Sequence, residues 1–263
     1  GWAPFFSSAK ASNYNLPSLI KTTATVTPRE LTVSGTAVAT KVYDGTTAAT
    51  IMAGTLVNLV KGEQLTLAAS GAFDSRHAGD AQATVHYTHG DGSGGGLASN
   101  YVVPASVQAL GKIDPRTVQF AAPQITKVYD GTASFAGAVE LAPLTAALGV
   151  AGDQVTGITL GFGSQHAGAG KAPSRLSDAK IDDGNNGGNY KVTYVDNLAS
   201  TISPLELTIG QLPALSKVYD GLATYQLTPE QLVGLAAGLV NGDTLGSATA
   251  TFGSRNAGTH TVR

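Results

Sequence analysis

The sequence contains no cysteine, one methionine and one tryptophan in 263 residues. The missing thiol excludes a disulfide framework, thiolate catalysis and cysteine-ligated zinc. It leaves the compartment open, because secreted and cytoplasmic chains can both lack it. Charge is scarce as well. Asp, Glu, Lys and Arg make up 13% of the residues, against roughly 25% in an average soluble chain. The formal net charge is -2 and the pI is near 6.2, so there is no basic footprint for nucleic acid and no polybasic patch for a membrane surface. No apolar run is long enough to cross a bilayer, and no signal-peptide pattern occurs. An internal piece of a secreted protein would lack a signal too. Nucleic-acid binding and membrane insertion are therefore not expected.

Glycine (33 residues), Thr, Ser and Ala occupy the space that charge leaves. Such a chain makes many short strands and turns under a neutral, hydroxyl-rich surface. Its organisation is a repeat of about 88 residues. Lys41-Val42-Tyr43-Asp44-Gly45 recurs as Lys127-Val128-Tyr129-Asp130-Gly131 and as Lys217-Val218-Tyr219-Asp220-Gly221. Upstream lie Thr27-Pro28-Arg29, Asp114-Pro115-Arg116 and Ser203-Pro204-Leu205. Downstream lie Phe73-Asp74-Ser75-Arg76-His77-Ala78-Gly79, Phe162-Gly163-Ser164-Gln165-His166-Ala167-Gly168 and Phe252-Gly253-Ser254-Arg255-Asn256-Ala257-Gly258. A fourth marker is Asn100-Tyr101 and Asn189-Tyr190, matched near the start by Asn13-Tyr14. Residues 1–27 then read as the tail of one repeat, 28–113 and 114–202 as two whole repeats, and 203–263 as the front of another. Two explanations stay open: an excerpt from a longer array, or ends that complement each other between molecules by strand pairing.

Within a repeat the hydrophobic period is two. Leu31 and Val33, Val118 and Phe120, and Leu207 and Ile209 alternate with polar neighbours, as do Ala81, Ala83, Val85 and Tyr87. These are half-buried strands. Thr228-Pro229-Glu230-Gln231 reads as a capped helix start, followed by Leu232, Leu235 and Leu239 on one face. Weaker versions occupy Leu144 to Leu148 and Leu56 to Val60. The expected fold is all-β: tandem small immunoglobulin-like β-sandwich repeats, each of six or seven strands with at most one short helix. The Gly188-Asn189-Tyr190 entry to a late strand favours the sandwich. A β-grasp-like α+β repeat is the alternative, and a helix of two or more turns on a single sheet would decide for it. Proline directly after the last strand restricts the junctions at Pro115 and Pro204. Compact-domain scaling gives each repeat a diameter of about 30 Å, and the array a span of roughly 90–100 Å.

Few residues carry chemistry. In each Tyr-Asp-Gly triplet (Tyr43, Asp44, Gly45; Tyr129, Asp130, Gly131; Tyr219, Asp220, Gly221) Asp-Gly is a turn pair, and the tyrosine is expected to be buried with its hydroxyl on a backbone partner. A sugar-binding or crosslinking role is the sharper alternative, the latter through a lysine near a carboxylate, but nothing fixes an acceptor asparagine. His77 and His166 share a position that Asn256 fills in the third copy, which suits a turn better than a metal ligand or a base. Asp91, Asp182 and Asp183 lie in glycine-rich loops without the offsets of known calcium motifs. No phosphate loop, nucleophile setting or recurring carboxylate pair is present, so no enzyme and no cofactor are expected. Trp2, with Phe5 and Phe6, and Tyr225 are the aromatics that could stack on a sugar ring.

At these markers the sequence resembles the YDG repeat of large bacterial haemagglutinin-like adhesins exported by two-partner secretion. That repeat carries Lys-x-Tyr-Asp-Gly-Thr early, an Asn-Val-Gly-like turn in the middle and an Ala-Gly-Asn-Tyr-like segment late. The chain departs from it with His-Ala-Gly at 77–79 and 166–168, and with Ala98-Ser99-Asn100-Tyr101 in place of the glycine form. The resemblance implies extracellular display on a bacterial surface, a repetitive stalk that spaces a binding tip, and adhesion or biofilm roles. Candidate partners are polysaccharide or host glycans, and the chain itself, head to tail.

Overall fold

The computed structural model describes residues 10–15, 21–169, 173–208 and 212–263. The fold is all-β, built of many small sheets with, among the described residues, two short α-helices. The chain forms two compact units. The first comprises Gly1–Lys41, Thr47–Ser75 and Asp80–Lys112. The second comprises Val42–Thr46, Arg76–Gly79 and Ile113–Arg263. Two short pieces of the first repeat, the Tyr-Asp-Gly turn and the Arg-His-Ala-Gly turn, thus belong to the second unit.

In the first unit, Thr66–Phe73 runs antiparallel to Gly79–Gly90, in register from Thr66 opposite Gly90 to Phe73 opposite Ala83. Ser106–Asp114 lies on the other side of Gly79–Gly90, with Lys41–Val42 beyond it. Arg29–Glu30 pairs in parallel with Tyr101–Val102, so the first and a late strand of the repeat lie side by side. The alternation read from the sequence sets the core: Ala83, Val85 and Tyr87 are buried while Gln82 and His86 face solvent. Leu31, Val85, Tyr87, Tyr101 and Val103 form one cluster. Leu56 to Val60 corrects the helical expectation. Thr55–Val57 is a strand paired with Thr32–Ser34, and Asn58 follows in the left-handed region at φ 80°. Such a residue cannot continue a right-handed helix.

In the second unit the complete repeat shows seven strands and one helix among its described residues. Arg116–Ala121 pairs in parallel with Tyr190–Val195, and Thr126–Val128 with Thr201–Ser203. Gln154–Phe162 runs antiparallel to Ser174–Asp182, with register shifts between Val155 and Thr159. Helix α1, Ala142–Leu148, has proline in its first turn and ends on Gly149 at φ 67°, a left-handed cap. It packs on Arg116–Ala121 and Gln154–Phe162, burying Leu148 completely. In the third repeat Thr224–Gln226 pairs with Thr249–Thr251. Helix α2, Pro229–Leu235, has the anticipated capping box: Gln231 N–H donates to Thr228 Oγ1, and Thr228 N–H donates to Gln231 Oε1. Leu232 and Leu235 enter the core, but the chain becomes extended at Leu239. Each helix has seven residues, just short of two turns, and the strands are spread over several small sheets.

Candidate interface between repeats

The Tyr-Asp-Gly motif is first a self-bracing turn. Asp130 Oδ1 accepts from Thr132 N–H and from Thr132 Oγ1, both at 2.9 Å, and Asp44 holds Thr46 in the same way. Asp220 accepts from Leu222 N–H at 2.9 Å, with no hydroxyl to add. The lysine opening the motif closes the loop from inside. Lys127 Nζ donates to Asp130 Oδ1 at 2.6 Å, to the Thr132 carbonyl at 2.7 Å and to the Ser134 carbonyl at 2.9 Å. Lys217 repeats this on Asp220, Leu222 and Thr224. Each of these lysines lies over the ring of the downstream marker phenylalanine, Phe162 or Phe252, at 5.6 and 5.8 Å. Lys127 also holds the Asp130 carboxyl down to about 2, with the Thr132 amide assisting. The close lysine and carboxylate are thus an ion pair within the turn.

The braced turn aims its tyrosine at an acid of the following repeat. Inside the second unit Tyr43 is fully buried, and its hydroxyl donates to Asp153 Oδ2 at 2.9 Å. Tyr190, which opens a late strand of the second repeat, donates to the same oxygen at 2.7 Å. The two rings meet edge to face, 5.5 Å between centroids. Arg76 Nη2 lies 3.6 Å from Asp153 Oδ1, and the aspartate side chain is wholly buried. Burial first, and the bond to Asp153 second, push the Tyr43 hydroxyl up to about 12; Tyr190 is raised for the same reasons. The expectation of a backbone partner for Tyr43 is corrected: the partner is a carboxylate 110 residues away.

The downstream marker of the first repeat joins this contact. Ala78 N–H donates to Asn189 Oδ1 at 2.8 Å, and Arg76 donates to the Asp183 carbonyl at 3.2 Å. Asn189 is buried, and Asp183 shapes its loop by accepting from the amides of Asn185, Gly187 and Asn189.

The tyrosine–acid bond recurs between the second repeat and the third, there on an exposed acid. Tyr129 donates to Asp243 Oδ2 at 2.9 Å, a bond that raises its hydroxyl, with burial contributing next. Asn241 Nδ2 donates to the Gly131 carbonyl at 2.7 Å. The motif glycine is required twice. Gly45, Gly131 and Gly221 have φ of 80°, 77° and 79°, a region that side chains disfavour. A Cβ on Gly45 would also stand 2.6 Å from Val150 Cγ1, and one on Gly131 would stand 2.2 Å from Asn241 Cβ. Around Gly221 there is nothing within 4 Å, and Tyr219 is 63% exposed. The three triplets share one local geometry; two of them are docked.

Sequence reasoning missed the receiving residues. Gly62-Glu63, Gly152-Asp153 and Gly242-Asp243 recur at intervals of 90 residues and form a fifth marker. Its signal was present, but one acid among varied neighbours is easily passed over. In the first repeat the site is also built: Tyr101 donates to Glu63 Oε2 at 2.5 Å and accepts from Val60 N–H at 3.2 Å.

The remaining candidates lie elsewhere. His166 and Asn256 each donate their backbone N–H to a serine two residues earlier, at 3.2 and 3.1 Å, which explains the exchange of histidine for asparagine. His77 Nδ1 lies 3.3 Å from Asn189 Nδ2. Asp91 accepts from Ala98 N–H. Among the described residues no three His, Cys, Asp or Glu side chains gather into a metal site. Tyr225 is half-buried beside Phe252, with ring centroids 6.3 Å apart, in the third repeat's core. Trp2, Phe5 and Phe6 lie outside the described residues.

Replacing Tyr43 by Phe removes one hydrogen bond to a buried charge and should cost about 1.5–3 kcal/mol. Asp153→Ala strands two phenols and Arg76, and should cost about 3–5 kcal/mol in urea unfolding. The fold prefers the neutral Tyr43 phenol. Its stabilisation should therefore be complete below the ordinary tyrosine value of 10.0 and be lost as the pH rises toward about 12. Thermal unfolding followed across that window should show the loss, and Tyr43→Phe should reduce it while leaving the share that Tyr190 contributes. Gly131→Ala should be more destabilising than Gly221→Ala, which carries only the left-handed backbone penalty of about 1–2 kcal/mol.

The YDG domain family matches residues 27–109, 114–197 and 203–263. No curated protein and no solved structure matches the chain. The three matched stretches carry the three Tyr-Asp-Gly turns and the three Gly-Asp/Glu acids described above, and cover most of the chain. The chain belongs to the YDG domain family, as a tandem array of three copies.

Proposed function

We propose that this chain is a non-catalytic stalk segment of a large secreted bacterial adhesin, spacing a binding tip from the cell surface in adhesion or biofilm formation. The observation that carries the reading is the repetition of one joint: Tyr43 on Asp153, and Tyr129 on Asp243. A joint that recurs from copy to copy suits an array whose length grows with copy number. The proline-linked junctions and the low-charge, hydroxyl-rich composition suit such a shaft. Freedom from cysteine suits export of an unfolded chain. Polysaccharide or host glycan binding along the shaft is the second reading, and reproducible binding on a glycan array that is lost on mutating Trp2 with the fold kept would favour it.

Small-angle scattering on the dilute chain tests the stalk. The expected particle has a longest dimension of roughly 90–100 Å and a radius of gyration well above the about 18 Å of one compact body of this length. Asp153→Ala combined with Asp243→Ala should broaden the distance distribution by loosening the joints. A wild-type particle at the compact value would sink the stalk reading.

A further inference from the structure

The first and last segments of the second repeat lie side by side and run the same way. Arg116–Ala121 is in register with Tyr190–Val195, from Arg116 opposite Tyr190 to Ala121 opposite Val195. Thr126–Val128 is in parallel register with Thr201–Ser203. The stretch between these pairs is one residue longer in the last segment, and side chains take up the difference. Ala122 N–H donates to the Val195 carbonyl at 2.8 Å, and Asn197 Nδ2 to the Ala122 carbonyl at 3.2 Å. Ile125 N–H donates to Ser200 Oγ at 3.0 Å. At the two ends, Arg116 N–H donates to the Asn189 carbonyl at 2.9 Å and Tyr129 N–H to the Ser203 carbonyl at 2.8 Å. Val118, Phe120, Ile125 and Ile202 are buried, so one face of this ladder is shielded from water. Helix α1 and the antiparallel pair of Gln154–Phe162 with Ser174–Asp182 lie between the two segments in the sequence.

The chain enters this repeat through Pro115, directly before Arg116, and leaves it through Pro204, directly after Ser203. Tension along the chain therefore pulls the first segment by its N-terminal end and the last by its C-terminal end. In a parallel pair these are opposite ends, and the pull runs along the strands. The bonds of the ladder are then strained together. In an antiparallel pair the two ends would coincide, and the bonds would part singly from that end. We infer that the paired first and last segments form a shear clamp, which makes the repeat resist unfolding by tension along the chain. Everything folded between the segments carries no load until the clamp fails. The first repeat has the same order. Arg29–Glu30 lies parallel to Tyr101–Val102, and Leu31 N–H donates to the Val102 carbonyl at 2.8 Å. Tyr43 N–H donates to the Asp114 carbonyl at 2.9 Å, as Tyr129 does to Ser203. The effect is kinetic, because forced unfolding follows the unfolding rate rather than the equilibrium stability. The inference rests on the stalk reading for the source of the tension, and on the strand registers for the device.

Single-molecule force spectroscopy on the full chain tests it. The chain has no cysteine, so two introduced thiols fix where the handles attach. Thr117, Lys191 and Val195 are exposed positions on the paired strands. Thr117→Cys with Val195→Cys takes hold at opposite ends of the pair and pulls along it. Thr117→Cys with Lys191→Cys takes hold of two residues in register, kept reduced until coupled, and pulls the strands apart sideways. Either event should release roughly 250 Å of chain, at about 3.3–3.6 Å per residue. At one loading rate, the pull along the strands should need a several-fold higher force than the sideways pull. Circular dichroism and melting curves matching wild type confirm that both variants are folded. Equal forces in the two directions, or a lower force along the strands, would overturn the inference. If the chain were nonetheless elongated in scattering, the stalk reading would stand and only the clamp would be lost.

Discussion

An aspartate is buried in the second unit, and the packing around it follows from how its charge is kept there. A carboxylate removed from water carries a penalty of several kcal/mol unless hydrogen bonds and a counter-charge replace its hydration. Asp153 obtains two phenol hydroxyls on Oδ2 and the Arg76 guanidinium near Oδ1. Only Tyr190 is supplied by its own repeat. Tyr43 and Arg76 come from the repeat before, so the acid of the second repeat gains its second phenol and its counter-charge only when the first delivers its turns. This dependence explains why Val42–Thr46 and Arg76–Gly79 belong to the second unit.

The remainder of the motif prepares that delivery. A tyrosine on a loose loop would lose conformational freedom on docking. The lysine removes much of that freedom beforehand, by tying Asp130, Thr132 and Ser134 around its ammonium group while packing on Phe162. Glycine at the end of the triplet keeps the turn left-handed and leaves room for the incoming loop. Lysine, aspartate and glycine therefore act on the shape of the turn, and the tyrosine acts across the joint. The exposed Tyr219 turn keeps the same bonds from Lys217 and the same φ at Gly221, so the shape precedes docking.

Much of the fold was legible in the sequence, because strands with one wet face write their burial into alternate positions. Ala83, Val85 and Tyr87 against Gln82 and His86 is such a case, and the Thr228 capping box is another. Leu56 to Val60 misled because its apolar spacing suits a helix; the left-handed Asn58 and the pairing with Thr32–Ser34 override it. The joint was half legible. Its Tyr-Asp-Gly side is contiguous and repeats nearly unchanged. Its acidic side is one residue per copy, Glu63, Asp153 or Asp243, and its role appears only when residues 110 or 114 positions apart are brought together. A local turn can be read from local residues, whereas the partner of a buried hydroxyl depends on packing between repeats.

The choice of phenol and carboxylate for this joint agrees with what the composition lacks. A disulfide would tie the array to its redox surroundings, and surface ion pairs would weaken with salt. Tyr43 stays neutral until the pH approaches about 12, and its bond to Asp153 is shielded from solvent. The joint is also selective in a way that an apolar contact is not. A methyl group slipped out of register loses little, but a displaced phenol leaves both itself and a buried carboxylate without a partner. In a chain whose copies are so alike, that difference favours the pairing of each turn with the acid of the next repeat over looser contacts between neighbours.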